Sequence, residues 1–239
     1  REYLMPTKIA NAALLLKMLR DAGYKNTSYA VAELVDNSIE AEAKKIDLFL
    51  MEKTVRNVRT VTLINEIAIA DDGIGMSPEI LEQSLSFGWG TRLENATGLG
   101  KFGFGLKGAS ISQAKRIEIY SWQKDKPVFM TYLDYDEIVD NQLEDLPEPK
   151  QVDIPKKIKD FYDIPSSGTI VIWKQLERLN PKTSDALIRH LNKDMCRIFR
   201  HFLDDNDIVG THRDVTVHVV DPQGKLKTNE TKLLKANDP

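Results

Sequence analysis

Glu33 and Asn37 stand four residues apart in the run from Ala30 to Ala41, whose apolar positions recur at helical spacing. At that interval two side chains share one face of a helix. A carboxylate within hydrogen-bond reach of a water can activate it for attack on a phosphoryl group. A neutral amide oxygen beside it can hold Mg²⁺ without adding negative charge. In isolation the pair reads more simply as the polar stripe of an amphipathic helix, and Asp36 and Glu40 make that easier still.

Two further segments carry the other parts of such a site. In Asp71-Asp72-Gly73-Ile74-Gly75-Met76 an aspartate ends an apolar, strand-like run. It can accept a hydrogen bond from an exocyclic amine such as that of adenine, while Gly73 and Gly75 let the backbone approach a base closely. Taken alone, aspartate and glycine are also what any β-turn favours. In the stretch from Gly98 to Gly105, small residues at Gly100, Gly103 and Gly105 precede a helix, whose first amides would then be exposed to bind phosphate. The spacing is neither that of a P-loop nor that of a dinucleotide fingerprint.

The elements that must position these residues follow from periodicity and punctuation. A helix is expected from Thr7 to about Gly23, and a second from a cap at Thr27 or Ser28 to about Ala43. Strands are expected at Ile46 to Met51 and Val61 to Ala70, then a helix opened by Ser77 and Pro78. The glycine-rich stretch from about 87 to 105 can fold over a ligand as a lid. Beyond it come a helix from Leu106 to Gln113 and strands from Arg116 to Trp122, Val128 to Leu133 and Gly168 to Trp173. A long helix from Ser184 to Phe202 and a strand from Val215 to Val220 close the pattern. Residues 134–148 hold seven acidic and no basic side chains and read as a solvated insertion. The order predicts an α+β two-layer sandwich with helices on one face of a mixed β-sheet.

Composition narrows the function. With 239 residues, 41% of them hydrophobic, and a formal charge of −3, the chain can bury a sizeable core and lacks the net basic charge of a dedicated nucleic-acid module. Cys196, the lone cysteine, excludes an intramolecular disulfide and reads as a buried structural thiol. His190, His201, His212 and His218 show no zinc spacing and read as surface or packing residues. Met195, Phe199, Phe202 and Leu203 read as core. With no signal peptide and no membrane-length apolar run, a cytoplasmic, membrane-free location is expected. The start at Arg1 and the break after Pro239 suggest a piece of a longer protein.

Glu-x-x-x-Asn on a helix, Asp-x-Gly-x-Gly after a strand, Gly-x-x-Gly-x-Gly before a helix and Gly168-Thr169 opening a late strand occur here in one order. In combination this resembles the GHKL ATPases, the superfamily of gyrase, heat-shock chaperone, histidine kinase and MutL domains, over roughly residues 8 to 175. Leu85-Ser86-Phe87-Gly88 and the run from Gly103 to Ser110 are similar to segments of MORC-like and related bacterial ATPases. The resemblance implies a Bergerat fold over residues 1–180, with the lid at about 87–105, and makes 181–239 a helix and strand extension that starts a truncated transducer-like region. It implies ATP and Mg²⁺ as ligands, with Glu33 as general base and Asn37 as the Mg²⁺ ligand. Asp71 becomes the adenine anchor, Gly73, Gly75 and Met76 the base pocket, Gly103 and Gly105 the phosphate contacts, and Thr169 a support for adenine through a water. Lys107 would point a cation at the phosphates or else lie on the surface; Lys101 and Arg92 in the lid are weaker candidates for that charge.

The expected activity is Mg²⁺-dependent ATP hydrolysis that drives nucleotide-dependent homodimerisation in a clamp or chaperone-like cycle. A DNA or protein client would engage regions outside this chain. Two alternatives are a non-catalytic nucleotide-sensing module and a histidine-kinase-type phosphotransfer domain. Glu33 argues against the second, since those relatives generally lack the glutamate that would waste ATP on water.

Overall fold

The computed structural model describes residues 12–24, 26–56, 58–86, 105–143, 145–204 and 212–236. In chain order the elements are α1 (Ala12–Ala22), α2 (Thr27–Glu40), β1 (Lys45–Arg56), β2 (Thr60–Asp71), α3 (Pro78–Ser84), α4 (Gly105–Gln113), β3 (Ala114–Trp122) and β4 (Phe129–Asp134). They continue with α5 (Tyr135–Asn141), β5 (Lys150–Gln151), α6 (Lys156–Lys159), β6 (Gly168–Leu176), α7 (Ser184–Ile198), α8 (Arg200–Leu203), β7 (Asp214–Val220) and β8 (Lys232–Leu233). The eight strands form one mixed sheet in the order β5-β4-β3-β6-β2-β1-β7-β8, in which β7 runs parallel to β1 and every other pair is antiparallel.

Alternation along the strands sorts the sheet's two faces. Ile67 and Ile69 of β2 and Val171 and Trp173 of β6 enter the main core, where they meet Val31, Leu34 and Val35 of α2. Burying an aliphatic side chain of this size contributes about 2 kcal/mol. Ala68, Ala70, Ile170 and Ile172 face the other way into a smaller cluster with Phe49, closed by Ile158 of α6 and by Tyr162. The fold is the expected two-layer α+β sandwich, with one short helix on the second face.

Two buried contacts fix α4, the helix that matters most for the site. Arg20 of α1, 3% exposed, donates to the carbonyls of Ile111 and Ala114 at 3.0 and 2.9 Å and so satisfies acceptors at the C-terminal end of α4. Trp173 on β6 donates its indole N–H to Ser110 Oγ at 2.8 Å.

Several boundaries differ from expectation for identifiable reasons. Asn26 caps α2, because its side chain accepts from Tyr29 N–H at 3.0 Å while the Thr27 hydroxyl donates to Gln113 instead. The helix stops at Glu40 rather than Ala43, where Glu42 turns to a φ of +64°. The acidic stretch opens with a helix: Asp134, only 8% exposed, accepts from the N–H groups of Asp136 and Glu137 and pairs with Arg116. The long C-terminal helix breaks at Phe199, which ends α7 and caps α8. The segment from residue 181 on, read from sequence as an extension, shares the sheet and core of the residues before it. There β7 pairs with β1 from Lys45↔Asp214 to Met51↔Val220, and Leu187, Leu191 and Met195 of α7 are wholly buried in the main core.

Candidate active site

Helix α2, the turn after β2, α3, the first turn of α4 and the start of β6 close around a hollow of about 330 Å³. Helix α2 contributes Glu33 and Asn37, the turn contributes Asp71, Gly75 and Met76, α4 contributes Gly105 and Lys107, and β6 contributes Thr169. Gly73 stands behind this wall, and Arg92, Lys101 and Gly103 lie outside the described residues.

At one end Asp71 closes β2, 5% exposed. Its carboxylate accepts from Ser38 Oγ at 2.9 Å and from Gly73 N–H at 3.0 Å. Burial pushes its pKa up to about 6, against the pull of hydrogen bonds from Gly73, Ser38 and the Thr169 backbone. The two turn glycines serve close backbone passage. Gly75 has a φ of +67°, and a Cβ there would lie 1.9 Å from the Trp122 carbonyl oxygen; one on Gly73 would lie 2.6 Å from that of Ala41. Ile74 N–H donates to the same Ala41 oxygen at 2.9 Å, which ties the turn to the end of α2.

At the other end Glu33 faces the first turn of α4. A Cβ on Gly105 would lie 2.7 Å from Glu33 Oε2, so only glycine brings this helix N-terminus onto the carboxylate unobstructed. Burial foremost, then repulsion from Asp36 and Glu40, holds the Glu33 carboxyl above the ordinary carboxylate range. Asn37, in the wall of the hollow, donates an amide N–H to Glu33 O at 2.6 Å, a bond that does not use its amide oxygen. One neutral oxygen of this kind fits Mg²⁺, which takes few protein ligands and completes its shell from water and substrate phosphates. Among the described residues no cluster of three His, Cys, Asp or Glu is placed to hold a metal by itself.

Lys107 is no surface lysine. It is 3% exposed, its ammonium donates to the Ser86 carbonyl, and burial pushes its pKa down to about 8. Two serines that sequence reasoning missed support the site: Ser38, in the wall, donates to Asp71, and Ser121, buried behind the wall, accepts from Met76 N–H. Ser38 follows Asn37 directly, a signal that was available; Ser121 sits one residue before the end of β3, between Tyr120 and Trp122, with nothing local to mark it.

A profile described as the histidine kinase-, DNA gyrase B- and HSP90-like ATPase matches residues 24–163, more than half of the chain. The chain belongs to this ATPase family. Over 97 residues it is similar, at 31% identity, to the ATPase MORC2A of Mus musculus and to the ATPase MORC2 of Homo sapiens. That stretch is 40% of this chain and 9% of each relative, so the chain spans only a small part of their length. The fold of this GHKL domain is similar to the crystal structure of the N terminal domain of a DNA repair protein. The TM-score is 0.57 at 15% identity, covering 94% of this chain and 56% of that one. Among the described residues no helix is long and apolar enough to cross a membrane.

Proposed function

We propose that this chain is the ATP-binding and ATP-hydrolysing part of a larger protein and that the hollow takes Mg²⁺-ATP with adenine at Asp71 and the γ-phosphate at Glu33. The observation that carries the reading is one hollow with a buried strand-end carboxylate at one end and a second carboxylate, against a helix N-terminus, at the other.

In this reading ionised Asp71 accepts from the adenine amine while Thr169, Gly75 and Met76 wall the base. The amides at the start of α4, with Lys107, face the phosphates, where the helix dipole and a cation both favour negative charge. The Asn37 amide oxygen would hold Mg²⁺, which when bound neutralises charge on the phosphate oxygens. Glu33 takes a proton from the water that attacks the γ-phosphorus, and the bond to the bridging oxygen breaks to leave ADP and inorganic phosphate. A carboxyl held above its ordinary range is a stronger base for that step than an unperturbed one. Lys101 and Gly103 keep the phosphate roles that the resemblance implies. Nucleotide-dependent pairing of two copies, with hydrolysis resetting the pair, extends the proposal to the whole protein, and its client engages parts beyond this chain.

The test is release of inorganic phosphate from ATP by the purified chain, with Mg²⁺ and with EDTA. Turnover that needs Mg²⁺ supports the proposal; binding of ATP without any release would leave a nucleotide sensor.

A further inference from the structure

Asp71, Thr169 and Ser121 form a row of polar side chains across three adjacent strands: Asp71 pairs with Thr169 between β2 and β6, and Thr169 pairs with Ser121 between β6 and β3. Asp71 and Thr169 reach the hollow, whereas Ser121 is wholly buried and does not line it. Resting on the adenine-nucleotide reading above, we propose that Ser121 is a positioning residue for base recognition: its hydroxyl sets the direction of the Thr169 hydroxyl proton, and thereby whether the hollow offers a purine a hydrogen-bond donor beside Asp71.

Ser121 Oγ accepts from Met76 N–H at 2.8 Å, lies 3.1 Å from Gly168 O and lies 2.9 Å from Thr169 Oγ1. A hydroxyl has one proton and two acceptor lone pairs, and a backbone N–H can only donate. Ser121 therefore has a single proton to give, to Gly168 O or to Thr169 Oγ1. If it goes to Gly168 O, the 2.9 Å bond between the two hydroxyls needs the Thr169 proton, and while that bond is kept Thr169 shows the hollow only lone pairs. If it goes to Thr169, the proton of Thr169 is released into the hollow.

The two states suit different purine edges. Adenine carries an amino donor at carbon 6 next to an acceptor at ring nitrogen N1. Ionised Asp71 is acceptor-only and matches the amine; the released Thr169 proton, directly or through one water, matches N1. Guanine carries the reverse order, a carbonyl acceptor and an N1–H donor, and fails at both positions. Ser121 thus acts one hydroxyl away from the base. It also pins the turn: the same oxygen holds Met76, whose side chain is in the wall.

A chemical double-mutant cycle tests this. Dissociation constants for ATP and for 1-deaza-ATP, which has C–H in place of N1, are measured by calorimetry on the parent, Ser121→Ala and Ser121→Thr. The parent should prefer ATP by about tenfold, the scale of one net hydrogen bond to a buried partner. In Ser121→Ala nothing orients the Thr169 proton, so that preference should weaken severalfold, and Ser121→Thr, which keeps the hydroxyl, should retain it. Preference for ATP over the triphosphate of unsubstituted purine riboside, which reads the 6-amino group at Asp71, should persist in all three. Thermal melts confirm folding, and if Ser121→Ala does not fold, Ser121→Cys, a weak donor of similar volume, reads the same loss. An N1 preference undiminished in Ser121→Ala or Ser121→Cys, or a parent that binds both triphosphates equally, overturns the role of Ser121 and leaves the nucleotide site standing. A parent that binds neither overturns both.

Discussion

A Cβ on Gly105 would lie 2.7 Å from Glu33 Oε2, and that carboxylate is the nearest atom it would meet. The obstacle is the far end of a flexible side chain, so Gly105→Ala should displace the carboxylate rather than the helix. The variant should melt close to the parent, since alanine also favours helix over glycine. It should bind ATP normally yet release phosphate about a hundredfold more slowly, as expected for a base moved by about 1 Å. Gly75→Ala is the contrasting case: its Cβ would lie 1.9 Å from a backbone oxygen at a φ of +67°. That change should cost roughly 3 kcal/mol of stability and lower the melting temperature sharply. Parent-like turnover in Gly105→Ala would remove Glu33 from the chemistry.

Glu33→Gln should keep ATP binding and abolish phosphate release. In the parent, burial and then Asp36 and Glu40 hold the Glu33 carboxyl above the ordinary range, and a general base works only when ionised. The rate should therefore climb with pH and level off once Glu33 has lost its proton, the acid limb lying above that of a free glutamate. Asp36→Asn removes one repelling charge and should move the limb toward lower pH while leaving the plateau. A pH–rate profile identical in Asp36→Asn and the parent would contradict this assignment.

Much of this site was legible because its parts are local. The four-residue interval of Glu33 and Asn37, the run ending at Asp71, and Ser77-Pro78 opening α3 each declare themselves within one turn or strand. What escaped depends on partners far along the chain. Asn26, Thr27 and Ser28 are all good caps, and the choice falls to Asn26 while Thr27 and Ser28 bond Gln113 and Asp194, 86 and 166 residues away. Asp134 is one acid in an acidic run until Arg116, on the neighbouring strand, gives it a partner. Ser121 acquires a role only once β3 and β6 are in register.

Asn37→Ala should separate nucleotide affinity from metal dependence. With its N–H on Glu33 O, Asn37 has one amide oxygen to offer, and alanine has none. ATP binding measured with Mg²⁺ should fall to the level that the parent shows in EDTA, while binding in EDTA is unchanged. If Mg²⁺ strengthens binding equally in both proteins, the cation is held elsewhere.

Pairing of two copies is the part of the proposal that needs the longer protein. A non-hydrolysable ATP analogue with Mg²⁺ should raise the sedimentation coefficient of the full-length protein toward that of a dimer, and ADP should not. A profile indifferent to nucleotide would sink the clamp reading and favour a sensor.

The Asp71 carboxyl links pH to both stability and binding, with opposite signs. Its pKa is raised from 3.8 to about 6, so the folded protein holds this proton more tightly than the unfolded chain. The favourable contribution is complete below the lower value and is lost as pH rises through the upper one, for a total of about 3 kcal/mol. The protein without nucleotide should accordingly melt lower at about pH 7 than at about pH 5 from this group alone. Adenine reverses the preference, because an amine that donates to the carboxylate favours the ionised form. ATP affinity should rise with pH up to about 6 and then level off. Binding at about pH 5.5 should release protons, seen as a dependence of the calorimetric heat on buffer ionisation enthalpy, and the release should vanish at about pH 8. Asp71→Asn removes the charge and with it both effects. It should melt at least as high as the parent at neutral pH while binding ATP about tenfold or more weakly, the buried amide being a poorer acceptor than a carboxylate. Equal ATP affinity in Asp71→Asn and the parent would mean that the base does not lie against this residue.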